Sequence, residues 1–347
     1  MMGLNTNVSQ LRNISESIFE EIKNKSDKYS PSSPIVPTFT LVAYGILIPV
    51  AVGVGYVGNI LTAIVLWSKE MASTTNLFLR ALVLSDIALI TSALLLTPGL
   101  VISSGDPETN ELWPQGLSTL KFLMMTSQLC NVYILVFVSV ERFFAICLPF
   151  KHLYLHTRRN VLLSIFINVL FSVLFNIPRL FVLDVRQAQC TGVNSTRPCF
   201  IYEWTVFGES SFYQDVYALW MYVLVYFAIP LTVLLTLNIL IVKELKRMEI
   251  RLVRIGAENN NVTSEKVNIT KTIVLICAVF TLVQTLGFIS QLEYWILNRE
   301  GRVLLVIVNF LYVVNSSINF AIYIVIGKKF RKKVLSVFAK CQCRFSE

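Results

Sequence analysis

Polar side chains interrupt an apolar stretch near the end of the chain, in "NSSINFAIY" at residues 315–323. A helix that faces lipid on all sides has no use for them, because polar groups are costly in a bilayer. Three other apolar stretches carry polar residues as well. The clusters are Asn59; Asp86; Ser127, Gln128 and Asn131; and Asn315, Ser316, Ser317 and Asn319. A buried carboxylate among Asn and Ser side chains can stay charged and hold a small cation, for which sodium is the natural candidate. The alternative is that these groups only join helices through hydrogen bonds.

A second candidate is the pair Glu141–Arg142 in "VSVERFFAICLPF", at the inner end of a long apolar stretch. Arg142 is always charged and must find acceptors, of which Glu141 is the nearest. A pair that opens would free Arg142 to meet a partner protein. The sequence shows no nucleophile–base constellation and no metal-ligand spacing on a helix, so it indicates neither an enzyme nor a metal site beyond sodium at Asp86. The histidines, His152 and His156, lie on an inner loop and are expected to be solvated.

Seven apolar blocks contain these residues and account for a hydrophobic content of 55%. Each has about 20 or more residues, enough for a helix to cross a hydrocarbon core of ~30 Å. The short alternating segments of a β-barrel are not seen. The blocks are 40–67, 77–103, 118–148, 160–183, 215–243, 270–297 and 302–326. The sequence therefore predicts an all-α membrane protein, a bundle of seven transmembrane helices.

The charge distribution predicts the orientation of the bundle. Net charge is +9, and the excess of Lys and Arg lies on the cytoplasmic side if the N-terminus is extracellular. The positive net charge is therefore explained by the orientation in the membrane and does not indicate a nucleic-acid partner. Glycosylation sequons agree with this orientation in a plasma membrane. They are Asn7, Asn13 and Asn24 in the N-terminal tail and Asn194 in a long outer loop.

Three parts follow from this reading: an extracellular glycosylated tail at 1–39, the bundle at 40–327, and an amphipathic eighth helix with a short cytoplasmic tail at 328–347. The tail carries no early apolar run, so the first helix is expected to act as the insertion signal. In the last part apolar side chains share one helical face and basic side chains fill most of the rest, as in a helix lying on anionic membrane lipids. The apolar residues are Phe330, Val334, Leu335 and Phe338.

The seven cysteines divide by compartment. Cys190 and Cys199 are the two expected outside, where disulfides persist, and they are predicted to pair. Cys341 and Cys343 lie beside the inner membrane surface and suit palmitoylation. The alternative for these two is a pair of free thiols.

Together these residues resemble the rhodopsin-like (class A) G-protein-coupled receptors over the whole chain. The motifs are Gly58-Asn59, Leu82 through Asp86, Glu141-Arg142-Phe143, Phe227 with Pro230, Asn319 through Tyr323, and Phe330-Arg331. The segments "FNIPRLF", "LTLNILIVKELKR", "FTLVQT" and "NSSINFAIYIVIGKKFRKK" are similar to invertebrate FMRFamide-type neuropeptide receptors, those of nematodes especially.

The resemblance implies a signalling mechanism and two partners. A polar, partly watered core would rearrange on activation, a sodium ion would favour its resting state, and Tyr323 would swing toward Arg142. The ligand would be a peptide and the inner partner a heterotrimeric G protein. The implied core is Asn59, Asp86, Asn131, Asn315, Ser316, Asn319 and Tyr323. The residues implied to border the G-protein cleft are Glu141, Arg142, Leu148, Pro149, Lys246 and Arg247.

Some positions depart from the family pattern. Leu117 stands where the family has the cysteine of its loop disulfide, which also favours the pairing of Cys190 with Cys199. Gln284 and Leu286 replace the usual Trp and Pro of the sixth helix, which leaves Gly287 to permit a bend there.

The resemblance also narrows the ligand. The position of the amine-receptor carboxylate holds Met124 and that of the opsin lysine holds Val313, so amines and retinal are not expected. Acids at the outer mouth suit a cationic peptide with an Arg-Phe-amide end, although they would also fit a solvated loop. The expected contacts are Met124, Gln128, Tyr222, Gln284, Phe288, Gln291, Glu293 and Tyr312.

Two other functions stay open at this point. A divergent chemosensory receptor of seven helices would respond to a small molecule. A small transporter or channel would place charges on several helices and show an internal repeat, whereas Asp86 is the one charge in mid-membrane and no repeat is evident.

Overall fold

The structure is a computed structural model. It describes residues 35–71, 73–105, 116–191, 196–255, 261–297, 302–326 and 330–336. The predicted glycosylation sites Asn7, Asn13, Asn24 and Asn194 and the predicted palmitoylation sites Cys341 and Cys343 lie outside these residues. We call the end of the bundle that carries the loop between the fourth and fifth long helices the outer end. The end that carries Arg142 is the inner end.

Seven long helices follow one another along the described chain, and each is long and apolar enough to cross a membrane. Their number and order confirm the sequence prediction of a multi-pass membrane protein. They are α1 (Ile35–Val42, Ala43–Leu47 and Ile48–Leu66), α2 (Thr74–Gly105), α3 (Leu117–Cys147), α4 (Arg158–Asn176), α5 (Phe212–Met221, Val223–Ala228 and Ile229–Ile255), α6 (Asn261–Leu297) and α7 (Arg302–Ile326).

Local sequence explains both ends of α4. The Thr157 side chain caps its start by accepting a hydrogen bond from the backbone N–H of Asn160 at 3.3 Å. At the other end the helix tightens into the 3₁₀ turn Ile177–Phe181. Pro178 in that turn has no backbone N–H to donate, so the α-helical pattern cannot continue through it.

An antiparallel hairpin follows α4, formed by β1 (Leu183–Thr191) and β2 (Thr196–Trp204). In the hairpin register Cys190 lies opposite Arg197 and Cys199 lies opposite Ala188. The two cysteines are therefore diagonal rather than directly opposite neighbours. Their disulfide stays a prediction.

The bundle is built around α3, which contacts α2, α4, α5 and α6, while α7 packs against α1, α2 and α6. Large apolar side chains also cover the outside of the bundle, and their exposure to water would be unfavourable. Val54, Leu282 and Val325 are examples, each more than half exposed. Lipid tails satisfy such side chains, which agrees with the membrane spans.

A short helical segment at 330–336 follows α7. Phe330 and Val334 are buried, and the Phe330 ring lies 5.4 Å from that of Tyr323. Leu335 is exposed. Two of the four apolar residues of the predicted eighth helix thus pack on the bundle, while Phe338 lies outside the described residues. The position of this helix on a membrane surface stays a prediction.

Candidate functional site

The buried carboxylate of Asp86 joins three helices near the middle of the bundle. Asn131 on α3 donates to Oδ1 at 3.0 Å, and Asn319 on α7 donates to Oδ2 at 2.8 Å. The hydroxyl of Ser316 is a third hydrogen-bond partner. All four residues are almost fully buried. Because a charge is costly inside a membrane, these neighbours are what allow a carboxylate at this depth.

The structure adds one residue to this core. The Ser85 hydroxyl hydrogen-bonds Oδ1 of Asn131, which orients the Asn131 amide so that its nitrogen faces Asp86. Sequence reasoning did not single out Ser85, although it directly precedes Asp86 in the chain. The signal was its adjacency to the one carboxylate of that span.

Asn59 has a different structural role from the one expected, which was membership of the polar core around Asp86. Its amide donates to the backbone oxygens of Gly55 and Ser316, each at 3.0 Å. It thus joins α1 to α7 and makes no bond to Asp86. The close approach requires Gly55, because a Cβ there would come within 3.1 Å of the Ser317 Cβ. For Asn59 the structure therefore supports the alternative of a group that holds helices together.

Two more predicted core residues lie away from the carboxylate. Asn315 is half-buried and is not among the partners of Asp86. Tyr323 is buried nearer the inner end, against Phe330, and its hydroxyl has no hydrogen-bond partner among the described residues. It makes no hydrogen bond to Arg142 in this conformation. Its predicted swing requires a rearrangement.

The inner end of α3 carries the second predicted feature. Nε of Arg142 lies 2.9 Å from Oε2 of Glu141, and the two side chains are 8% and 4% exposed. A buried ion pair is costly to open by removing one partner, about 3–5 kcal/mol. The pair is closed here, so Arg142 is not free to contact a partner protein.

The prediction that the two histidines are solvated is wrong. They lie on the short helix Pro149–Leu155 and at its end, and this helix folds back against α3. Nε2 of His152 lies 3.2 Å and Nε2 of His156 3.4 Å from Oε1 of Glu141, with side-chain exposures of 24% and 11%. Burial lowers the pKa of His156, although the nearby Glu141 opposes this effect. One sequence feature could have shown the pairing: a four-residue spacing puts two side chains on one helix face.

The remaining residues predicted for the G-protein cleft lie around this end. Leu148 and Pro149 are exposed at the start of the short helix, and Lys246 and Arg247 are exposed on α5. Arg247 also approaches Glu244 on its own helix at 3.4 Å. The structure therefore leaves all four accessible at the end that carries Arg142.

The outer half of the bundle contains a cavity of about 50 Å³. Of the eight predicted ligand contacts, Met124, Gln128 and Tyr312 line it. The prediction missed the contributions of α1 and α2, because which helix faces meet cannot be read from one sequence. The lining residues not foreseen are Tyr44, Ile48, Leu89, Ala93, Leu96, Asn309 and Val313.

Polar contacts connect this cavity to α6. Gln128 donates to Oε1 of Gln284 at 3.5 Å and also hydrogen-bonds Tyr312. The Nε2 of Gln284 is buried and has no acceptor among the described residues. Gly287, one turn further along α6, is needed because a Cβ there would overlap the Tyr312 hydroxyl and lie 3.0 Å from its Cζ. Gln284 at the position of the family's Trp thus forms a polar link between α3 and α6.

Tyr222 and Phe288 lie in a separate aromatic cluster and not in the cavity. The rings of both pack on Phe227, at 5.3 and 5.5 Å. Arg179 lies over the rings of Tyr217 and Tyr222, at 5.4 Å from each, a contact that sequence reasoning missed. The expected contacts Gln291 and Glu293 fall on side chains outside those that the structure describes.

The acids predicted at the outer mouth are only partly free. Glu203 on β2 pairs with Arg186 on β1 at 3.2 Å. Glu209 and Asp215 are exposed. An exposed carboxylate at this end is available to a cation, whereas the paired one must first give up its partner.

Comparison with known proteins gives one family. The family described as 7 transmembrane receptor (rhodopsin family) matches residues 58–323. The FMRFamide receptor of Drosophila melanogaster is 29% identical over 85% of this chain and 54% of its own length. The probable G-protein coupled receptor frpr-1 of Caenorhabditis elegans is 26% identical over 85% of this chain and 78% of its own length. Neuromedin-U receptor 2 of Mus musculus is 25% identical over 80% of this chain and 70% of its own length. The chain thus spans about half of the Drosophila receptor.

Proposed function

The chain belongs to the rhodopsin family of seven-transmembrane receptors, and we propose that it is a neuropeptide receptor that binds a peptide ending in Arg-Phe-amide. This family consists of receptors and not of enzymes. In the proposal the N-terminus is extracellular at the plasma membrane, and the inner end activates a heterotrimeric G protein. Its similarity to FMRFamide-type receptors supports the choice of peptide.

One observation carries the proposal: three helices each place a cavity residue one turn from a partner in the Asp86 core. On α3 these are Gln128 and Asn131, and on α7 they are Tyr312 and Ser316. On α2, Leu89 lines the cavity one turn from Asp86 itself. A ligand that moves the cavity wall therefore moves the groups that hold the buried carboxylate.

The size of the cavity makes such movement necessary. At about 50 Å³ it has room for only about four waters, each of which needs about 10–15 Å³. A phenylalanine ring can enter only if α2, α3 or α7 shifts. The ligand then favours the arrangement in which the cavity is open, which is a shift between two populations.

Polar groups of the receptor can bind both the terminal amide and the arginine of an Arg-Phe-amide peptide. The terminal amide offers a carbonyl that can accept from Nε2 of Gln284, the buried donor that has no acceptor. The guanidinium of the preceding arginine can pair with an exposed carboxylate at the outer mouth, Glu209 or Asp215. A free-acid peptide would instead bring a second negative charge toward the interior of the membrane, which is costly.

The Asp86 core also fits the sodium ion expected from the sequence. A hard cation favours oxygen ligands, and Asp86 and Ser316 offer carboxylate and hydroxyl oxygens in one buried place. These two would hold the ion, while Asn131 and Asn319 hold the carboxylate in position. A bound ion would supply positive charge that neutralises Asp86 and favours the resting arrangement.

The proposal is tested in cells that express the receptor with a promiscuous G protein and a calcium reporter. Amidated Arg-Phe peptides should give a response that their free-acid forms lack. Gln284→Leu should lower the potency of the amidated peptide about tenfold, the effect of one hydrogen bond of about 1–1.5 kcal/mol. Thr285→Val is the matched control, because this neighbour is exposed on α6 and bonds only its own helix.

A second arm separates the competing function. Glu141→Gln should raise signalling without ligand if the receptor couples at all, since it releases Arg142 from its partner. A receptor that gains this activity yet ignores every peptide would contradict the peptide proposal and favour a small-molecule chemosensory receptor. Surface labelling of each variant ensures that silence is not loss of expression.

A further inference from the structure

The chain contains only two histidines, and both converge on one carboxylate. His152 and His156 lie one turn apart, with the His156 backbone N–H donating to the His152 oxygen at 2.9 Å. Their rings are stacked with centroids 4.6 Å apart. One ring nitrogen of each histidine and a carboxylate oxygen of Glu141 lie within 4.8 Å of one another.

We infer that Glu141, His152 and His156 form a binding site for a zinc ion at the inner end of the bundle. Two imidazoles and one carboxylate are a ligand set that zinc accepts, with a fourth position left for water. Imidazole also suits copper and nickel. The carboxylate ligand favours zinc over metals that prefer only soft ligands.

The distances support this assignment. In a tetrahedral zinc site with bonds of about 2.0–2.1 Å, neighbouring ligand atoms lie about 3.3–3.4 Å apart. The two measured separations between histidine nitrogens and Glu141 Oε1 are 3.2 and 3.4 Å. The separations to Glu141 therefore already match those of a metal site.

Burial points the same way. Nε2 of His156 is buried and makes no hydrogen bond among the described residues, although Oε1 of Glu141 lies 3.4 Å away. A cavity of about 130 Å³ borders all three residues and can admit an ion and its water.

The site would tie the inner loop to α3. Two ligands lie on the loop segment, and the third lies one position before Arg142. Glu141 would use one oxygen for the metal and keep the other for Arg142, at its present 2.9 Å. This inference does not depend on which ligand the receptor binds, because its ligands are all at the inner end.

The test uses the full receptor, purified in detergent with an affinity tag that contains no histidine. Cys341→Ser with Cys343→Ser forms the background, so that these thiols do not bind the metal. Zinc titration against a chromophoric chelator should give one site. His152→Asn and His156→Asn should each weaken it at least about tenfold, the lower range for a lost metal-site contact. Lys151→Gln, an exposed neighbour, should leave it unchanged.

A direct measurement covers the case in which a histidine variant folds poorly. Receptor labelled with ¹⁵N only in histidine has two imidazoles to report, and zinc should shift the Nε2 resonances of both. Zinc affinity that is unchanged in both histidine variants would overturn the inference. So would imidazole resonances that do not respond to zinc.

Discussion

Glu141→Gln is the substitution whose effect follows most directly from the geometry. It keeps the size of the side chain and removes the charge that faces Arg142 at 2.9 Å. At an effective dielectric of about 20, two charges at this distance attract by about 6 kcal/mol. Gln can still accept a hydrogen bond, and breaking buried pairs typically costs about 3–5 kcal/mol, so about 3 kcal/mol is the lower estimate.

The attraction between Glu141 and Arg142 stabilises only the resting arrangement. In the other arrangement Arg142 is released and can contact water or a partner protein. A loss of about 3 kcal/mol changes the ratio of the two arrangements by more than about a hundredfold. A receptor that is active about 1% of the time without ligand, a usual minor population, would become active about half of the time.

The assay is signalling without peptide, normalised to receptor at the cell surface. Glu141→Gln should raise it strongly, and the double variant with Arg142→Ala should be silent, because the effect acts through the freed arginine. Unchanged basal signalling in a receptor that still responds to agonist would refute the reasoning. High basal signalling in the double variant would refute it as well.

Two further substitutions probe the core and the cavity. Asn319→Leu removes the 2.8 Å donor to buried Asp86 and should cost about 1.5–3 kcal/mol, seen as a lower melting temperature in detergent. Thr97→Val is the control: it loses a buried hydrogen bond to the Ala93 oxygen of its own helix and should shift the melting temperature less. Gly287→Ala places a methyl group against Tyr312 and should lower peptide potency about tenfold or more, since overpacking costs about 1–3 kcal/mol; potency equal to wild type in a dose–response curve would contradict the close packing.

The fold could be predicted because its main signal is local. Seven apolar blocks of sufficient length determine seven spans, and the lipid requirement for internal hydrogen bonding leaves only helices for such blocks. The ends were less predictable. α6 begins at Asn261, ahead of its apolar block at 270–297, because helix propagation in polar sequence has no hydropathy signal.

The polar core was predictable in part. Asp86 stood out as the one charge in mid-membrane, and Asn131, Ser316 and Asn319 were found with it because polar residues in lipid need partners. The sequence could not distinguish Asn59 from these residues. Whether an amide reaches a carboxylate or a backbone oxygen depends on how closely two helices approach, here α1 and α7.

The ligand cavity and the histidine cluster were the least predictable features. The expected contacts assumed a pocket among α3, α5, α6 and α7, whereas the cavity lies among α1, α2, α3 and α7. The histidines looked solvated because a loop was assumed to extend from the bundle. The short helix Pro149–Leu155 instead folds them onto Glu141, a contact decided by tertiary packing.

The most direct test of the central claim uses purified receptor and a purified heterotrimeric G protein in lipid nanodiscs. Nucleotide exchange on the G protein is measured with an amidated Arg-Phe peptide, its free-acid form, and the receptor variant Arg142→Ala. The account predicts that the amidated peptide accelerates nucleotide exchange and that its free-acid form does not. It also predicts no acceleration with the Arg142→Ala receptor. Equal exchange with both peptides, or exchange that survives the loss of Arg142, would contradict it.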